Sequence, residues 1–130
     1  MNKNKIHLKY EILPISVNKA YMTRFGYRVL SEQARKFKQD IITETIKQVK
    51  NEELDKLYTW EKTKVTITIV SETWFTKSNK IRKKDIASFE KLLTDAIFEA
   101  LKIDDSCIFN LILIKEVGLA QIIYTIEEIK

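Results

Sequence analysis

The stretch Val65-Thr66-Ile67-Thr68-Ile69-Val70 consists of β-branched residues only. Side chains of this kind favour the extended backbone, and a run without charge is typical of a strand that has neighbours on both sides. We therefore predict a central strand here, and the rest of the chain has to supply the strands beside it and the helices that cover it.

Three further strands are predicted around this one. Apolar residues at every second position from Ile6 to Ile12 indicate a half-buried strand, which Pro14 ends. The runs Ile108 to Ile114 and Leu119 to Ile126 lie on either side of Gly118. Because glycine accepts turn geometries that other residues resist, these two runs predict an antiparallel hairpin.

Two helices are predicted from apolar residues at intervals of three and four. The first begins at Ser31, whose side chain is placed to cap it, and its apolar face carries Ala34, Phe37, Ile41, Thr45 and Val49. The second begins at Asp85, ends before Asp104, and has Ile86, Phe89, Leu93, Ala96, Ile97, Ala100 and Leu101 on its apolar face. Polar residues 51–61 predict a plain connection to the central strand.

The order of elements is β-α-β-α-β-β, which predicts an α+β fold with a mixed sheet and the helices packed on one face. With 130 residues, of which 45% are hydrophobic and 32% charged, the chain suits a single globular domain over residues 1–130. The formal net charge of +5 favours a polyanionic partner such as nucleic acid, although a lysine-rich proteome gives similar values without one.

Cysteine content and the first residues bear on the compartment. The single cysteine, Cys107, excludes an internal disulfide framework and lies in an apolar run, where a buried structural thiol is expected. Residues 1–5 are polar, and no long apolar stretch follows them. We expect a cytoplasmic protein that has no membrane partner.

The first candidate binding region extends from Pro14 to Arg28, where no acidic residue occurs. Cations interleaved with aromatic residues suit contacts to phosphates and stacking on exposed bases. The alternative is a hairpin around Gly26 whose aromatic residues pack into the core. The candidate DNA-binding residues of this region are Asn18, Lys19, Tyr21, Arg24 and Arg28.

The second region combines a basic run with carboxylates. Lys77, Lys80, Arg82, Lys83 and Lys84 form either a solvated loop or a phosphate-binding segment. Asp85, Glu90, Asp95, Asp104 and Asp105 follow, together with Lys91. Acidic residues beside basic ones suggest metal-dependent chemistry on nucleic acid, but Asp85 could equally cap the helix and Asp104-Asp105 could form a solvated turn.

These motifs, taken together, resemble those of RusA-type Holliday junction resolvases. The resemblance rests on Lys83-Lys84-Asp85, Lys91, Asp95-Ala96 and Asp104-Asp105 before an apolar strand. Near the start of the chain, Pro14-x-Ser16-x-Asn18-x-x-Tyr21 and the helix opening at Ser31 resemble the same family. The similarity covers most of the chain, with the motifs in the family's order.

The resemblance implies an endonuclease domain over residues 1–130 that forms a homodimer, binds branched DNA and cuts it with Mg²⁺ or Mn²⁺. Asp85 and Asp105, with Asp104 beside the latter, would hold the metal, and Lys91 would assist at the scissile phosphate. Asp95 matches a further acidic position in the helix. The family often occurs in phages and prophages.

One departure from the family pattern bears on activity. Where the family has aspartate-any-aspartate-asparagine, this chain has Asp85-Ile86-Ala87-Ser88, and alanine cannot coordinate a metal. Glu72, Glu90, Asp104 or a water could supply the missing ligand. Alternatively, the protein recognises junctions without cutting them, or it is a general nucleic-acid-binding module.

Overall fold

The structure is a computed structural model, and it describes residues 4–12, 21–24, 27–81 and 86–130, with the backbone alone for 21–24 and 27–28. The strands are β1 (Lys5–Tyr10), β2 (Tyr21–Arg24), β3 (Tyr27–Leu30), β4 (Thr63–Val70), β5 (Ile108–Glu116) and β6 (Gln121–Glu128). The α-helices are α1 (Glu32–Gln48), α2 (Asn51–Leu57) and α3 (Ala87–Leu101). Single 3-10 turns cover Glu72–Trp74 and Asp105–Cys107.

The main sheet has four strands in the order β1-β6-β4-β5. Strand β4 pairs antiparallel with β6 on one side and parallel with β5 on the other, and β1 pairs antiparallel with β6. The predicted central strand and the predicted mixed α+β fold are therefore confirmed.

One face of this sheet forms the core together with α1 and α3. Val65, Ile67 and Ile69 on β4 are at most 1% exposed, whereas Lys64, Thr66 and Thr68 on the opposite face are only half-buried. Helix α1 contributes Ala34, Phe37, Ile41 and Thr45 to the core, as its periodicity predicts. Its cap is confirmed as well, since Ser31 Oγ accepts a hydrogen bond from the amide of Ala34 at 3.1 Å.

The predicted hairpin between the last two strands is wrong, because β4 lies between β5 and β6. Consecutive strands often pair, but a helical crossover through α3 lets β5 run parallel beside β4 instead. The connection from β5 to β6 therefore crosses the end of β4. There the amide of Ser71 donates to the carbonyl of Glu116 at 2.9 Å, and the amide of Gly118 donates to the carbonyl of Ser71 at 3.4 Å.

Two short elements also differ from the expectations. Residues 51–61 are not a plain connection, since they include α2, whose Leu57 is buried in the core. Strands β2 and β3 pair antiparallel with Tyr21 opposite Leu30 and Arg24 opposite Tyr27. The backbone of this region is therefore a hairpin, while the packing of its aromatic side chains lies outside what the structure describes. Residues 13–20 and 25–26, with Pro14 and Gly26 among them, lie outside the described residues.

At the β1 edge of the sheet, a helix side chain takes the place of a neighbouring strand. The amide of Lys9 donates to Gln48 Oε1 at 3.0 Å, and Gln48 Nε2 donates to the carbonyl of Lys9 at 2.6 Å. Gln48 thus satisfies both backbone groups that Lys9 turns away from β6. As for membranes, none of the helices in the described ranges is long and apolar enough to cross one.

Candidate active site

A tight turn after α3 places the late aspartates of the sequence motif. Helix α3 ends at Leu101, and the residue that follows it, Lys102, adopts the left-handed conformation with φ of 59°. The amide of Ser106 then donates to Asp104 Oδ1 at 2.8 Å and closes the turn that follows. Hydrogen bonds from the amide and from the side chain of Ser106 lower the pKa of Asp104, which is fully exposed. Asp104 therefore stabilises the turn that presents Asp105.

Lys91 lies between two carboxylates in the first half of α3. Its Nζ is 3.1 Å from Asp95 Oδ1, one helical turn further on, and 3.3 Å from Asp105 Oδ2. The hydrogen bond and charge of Asp95, followed by those of Asp105, raise the pKa of Lys91. Because the Lys91 side chain is 59% exposed, this fixed positive charge is accessible to an anionic ligand such as a phosphate.

A buried hydroxyl pair lies below this charged cluster. Thr94 Oγ1 and the hydroxyl of Tyr124 on β6 are 3.0 Å apart, and both residues are buried. Burial raises the pKa of Tyr124 well above its ordinary value against the opposing effect of its hydrogen bond with Thr94, and the negative charges of Glu90 and Asp105 add to the rise. Tyr124 is therefore a neutral phenol below the site. Sequence reasoning missed this pair, because each member lies within an apolar face.

Aromatic packing fixes the start of α3 against the sheet. Trp74 donates from Nε1 to the carbonyl of Ile69 at 3.1 Å, and its ring meets that of Phe89 edge-on with centroids 6.0 Å apart. Lys115 Nζ on β5 lies 4.8 Å from the centroid of the Trp74 ring. The first turn of α3 is thus held to the ends of β4 and β5.

Helix α3 begins slightly later than predicted. Its first residue is Ala87, and Ile86 rather than Asp85 occupies the N-cap position. Asp85 therefore precedes the helix, which is the arrangement that would let Asp85 and Lys91 approach one phosphate from different sides. Asp85 itself lies outside the described residues, as do Arg82, Lys83 and Lys84. Ala87 is exposed and offers a methyl group where the family pattern has a carboxylate.

The described acids do not by themselves fit a metal ion. No three of the aspartate, glutamate, histidine and cysteine side chains in the described ranges lie close enough together to coordinate one. Asp95 and Asp105 instead face the ammonium group of Lys91. Glu72 is exposed at the start of a 3-10 turn, and Glu90 is half-buried on α3. A complete set of ligands would need Asp85 as well.

Two of the candidate DNA-binding lysines lie on an ordered turn. The amide of Thr76 donates to the carbonyl of Lys80 at 2.8 Å, and Phe75 pairs with Ile81 as an isolated antiparallel bridge. Asn79 has φ of 59° and lets the chain reverse, so that Lys77 and Lys80 are exposed. Of the other candidates, Asn18 and Lys19 lie outside the described residues, and Tyr21, Arg24 and Arg28 have described backbone only.

Comparison with known proteins identifies the family of the chain. No curated protein matches the sequence. The family model described as "Endodeoxyribonuclease RusA" matches residues 11–127, which begin directly after β1 and include β2 to β5, all three α-helices and all of β6 but its last residue. Since the match spans most of the chain, the protein belongs to the RusA endodeoxyribonuclease family.

Proposed function

We propose that the protein is a structure-selective endonuclease that hydrolyses phosphodiesters at four-way or branched DNA junctions during recombination and repair. The observation that carries the proposal is the position of Lys91, whose exposed side chain lies between Asp95 on the same helix and Asp105 in the turn after it. A lysine in this setting keeps its charge and can exchange a carboxylate for a phosphate oxygen. We further propose that the protein acts in the cytoplasm as a homodimer.

In this proposal each residue of the cluster has a distinct role. Lys91 stabilises negative charge that develops on the scissile phosphate, and Asp95 orients Lys91. Asp85 and Asp105, with Asp104 beside the latter, are the candidate ligands of Mg²⁺ or Mn²⁺. A bound divalent ion lowers the pKa of a coordinated water and offsets charge on phosphate. The exposed Lys77 and Lys80 would contact the DNA backbone away from the cut.

Ala87 supports a second candidate, a protein that binds junctions without cutting them. Its methyl group lies at the first position of α3, and the described acids supply no three-ligand group. The nuclease, by contrast, would require Glu72, Glu90 or a water to replace the missing carboxylate. Both candidates bind junctions, but only the nuclease cuts them, so a cleavage assay separates the two.

The deciding experiment compares cleavage of a synthetic four-way junction with that of a linear duplex of the same arm sequence. The protein is incubated with Mg²⁺, with Mn²⁺ or with a chelator, beside Asp85→Asn, Asp105→Asn and Ala87→Asp variants. Asp40→Asn is the matched control, because Asp40 pairs with Lys36 on α1 as Asp95 pairs with Lys91 on α3.

For the nuclease we expect metal-dependent paired nicks in the junction that both Asn variants lose and the control retains. Junction binding without nicks under either metal, with cleavage gained in Ala87→Asp, would establish the binding protein. Equal affinity for junction, duplex and single strands would contradict both candidates and favour a general nucleic-acid binder.

A further inference from the structure

Strand β5 forms the second edge of the main sheet, and its surface is unusually apolar for an edge. It is nine residues long, pairs with β4 on one side, and has no strand on its other side within the described ranges. Phe109 is 68% exposed and Leu111 39% exposed on one face of the strand, and Ile114 is exposed on the other. Sheet edges of this kind are templates for pairing with another chain.

The two edges of the sheet are treated differently. At the β1 edge, the Gln48 side chain occupies the backbone amide and carbonyl of Lys9, and Lys5, His7 and Lys9 place polar groups along the strand. Charged residues and side-chain caps are the usual devices that prevent a further strand from adding to an edge. From Ile108 to Ile114, β5 carries no charged residue, no proline and no glycine. This edge therefore lacks those devices.

The sequence of β5 is complementary to itself in an antiparallel register centred on Leu111. In that register Leu111 faces Leu111 of a second copy, Phe109 faces Leu113, and Ile108 faces Ile114. Asn110 is the one polar residue of the segment, and it faces Ile112. Lys115 and Glu116 fall beyond the paired segment. Two chains that each carry a net charge of +5 thus meet without placing like charges opposite each other.

We propose that β5 is the edge through which a second copy of this chain docks, so that the two four-stranded sheets join into one across a two-fold axis at Leu111. A two-fold axis perpendicular to the sheet keeps the helices of both copies on the same face. The paired segment, residues 108–114 of each copy, would be about 23 Å long at roughly 3.3 Å per residue. This assignment rests on the proposed homodimer and names its interface.

The first test measures the mass of the protein in solution, without DNA, over a range of concentrations. Leu111→Lys places two ammonium groups opposite each other at the axis, and we expect it to weaken the dimer by about tenfold or more. Ile46→Lys is the matched control, because Ile46 is an aliphatic residue that is 63% exposed and lies on α1 instead of β5. It should leave the dimer unchanged.

The second test traps the dimer by a covalent cross-link, so its result does not depend on a substitution that could also destabilise the folded protein. Leu111→Cys is made in a Cys107→Ser background, which removes the native thiol. Residues directly opposite in an antiparallel pair have Cβ atoms about 4.5–5.5 Å apart, close enough for a disulfide with slight adjustment. Mild oxidation should therefore convert this variant into a covalent dimer. His7→Cys in the same background, on the β1 edge, should remain monomeric under denaturing electrophoresis.

The outcomes separate this assignment from the proposed nuclease. A dimer that is indifferent to Leu111→Lys and does not cross-link at position 111 would overturn the β5 interface while leaving the homodimer standing. A monomer at every concentration would overturn both the interface and the homodimer. Junction cleavage is assayed on the same samples, so a β5 dimer without cleavage would count against the nuclease alone.

Discussion

At the scale of single residues, the site is a lysine whose two partners come from different parts of the chain. The spacing of Lys91 and Asp95 is visible in the sequence as an i, i+4 pair on one helix. The contact between Lys91 and Asp105 is not visible there, because it depends on the left-handed Lys102 and on the capped turn that follows. Family resemblance named Asp105, and the turn geometry explains how it reaches the site.

Replacing Lys91 by alanine should separate catalysis from stability. We expect Lys91→Ala to lower junction cleavage by about 10²- to 10³-fold, which is typical of removing one group that stabilises a transition-state charge. Since the lost ion pairs are exposed, the free energy of unfolding should change by less than about 1 kcal/mol. Lys36→Ala, which removes the 3.0 Å pair with Asp40, is the control and should retain cleavage. Loss of cleavage in both variants would contradict the role of Lys91.

The hydroxyl pair below the site should show strong coupling in a double-mutant cycle. Thr94→Val leaves the buried hydroxyl of Tyr124 without the partner that lies 3.0 Å away, and such a loss costs about 1–3 kcal/mol. Tyr124→Phe removes the other partner, and the double variant should cost less than the sum of the two. Urea unfolding of the four proteins measures the coupling. Simple additivity would show that the bond contributes nothing.

At the scale of elements, the sequence predicts those whose period is long and regular. Helices α1 and α3 and strands β1, β4, β5 and β6 are all visible as apolar patterns. Pairing is not visible in the same way, because β5 and β6 present similar apolar runs whether they pair with each other or with β4. Helix α2 is seven residues long and mostly polar, so little in its pattern distinguishes it from a loop.

Gly118 tests the connection that crosses the end of β4. A Cβ atom built at Gly118 would lie 3.0 Å from Val70 Cγ1, on a residue whose φ is +159°. Gly118→Ala should therefore destabilise the protein by about 1 kcal/mol, the scale of a typical point mutation with a local steric conflict. Leu119→Ala is the neighbouring control, since Leu119 is exposed and should change stability by less than about 0.5 kcal/mol. A neutral Gly118→Ala would mean that the β5–β6 connection is looser than described.

At the scale of the whole molecule, the core contains two phenols from neighbouring strands of one sheet. The hydroxyl of Tyr10 on β1 lies 2.6 Å from Thr45 Oγ1, and Tyr124 on β6 meets Thr94. Burial raises the pKa of Tyr10 well above its ordinary value, against the lowering effect of the hydrogen bond with Thr45, and burial raises that of Tyr124 in the same direction. Both groups bind their protons more tightly in the folded state than in the unfolded chain.

This difference predicts a loss of stability at high pH. The contribution of each phenol is fully present below the pKa of an unfolded tyrosine, about 10, and is lost as the pH rises toward the folded-state pKa. The raised pKa of Lys91 acts in the same direction. Urea unfolding between pH 8 and pH 11 should therefore show a falling free energy, with a shallower fall in Tyr10→Phe and Tyr124→Phe. An unchanged slope in both variants would contradict the assignment.

The position of β6 between β1 and β4 also constrains how the chain acquires its structure. Both neighbours of β6 precede it in the chain, so β1 stays without a strand partner, and β4 is paired on its β5 side at most, until β6 has been synthesised. Until then, the facing sides of β1 and β4 have unsatisfied backbone groups, and Ile6, Leu8, Val65 and Ile67 have no sheet partner from β6 to pack against. The sheet closes only when β6, the second strand in space and the last of the described strands in sequence, has been synthesised, so the apolar surface of its neighbours stays uncovered until the end of translation of these residues.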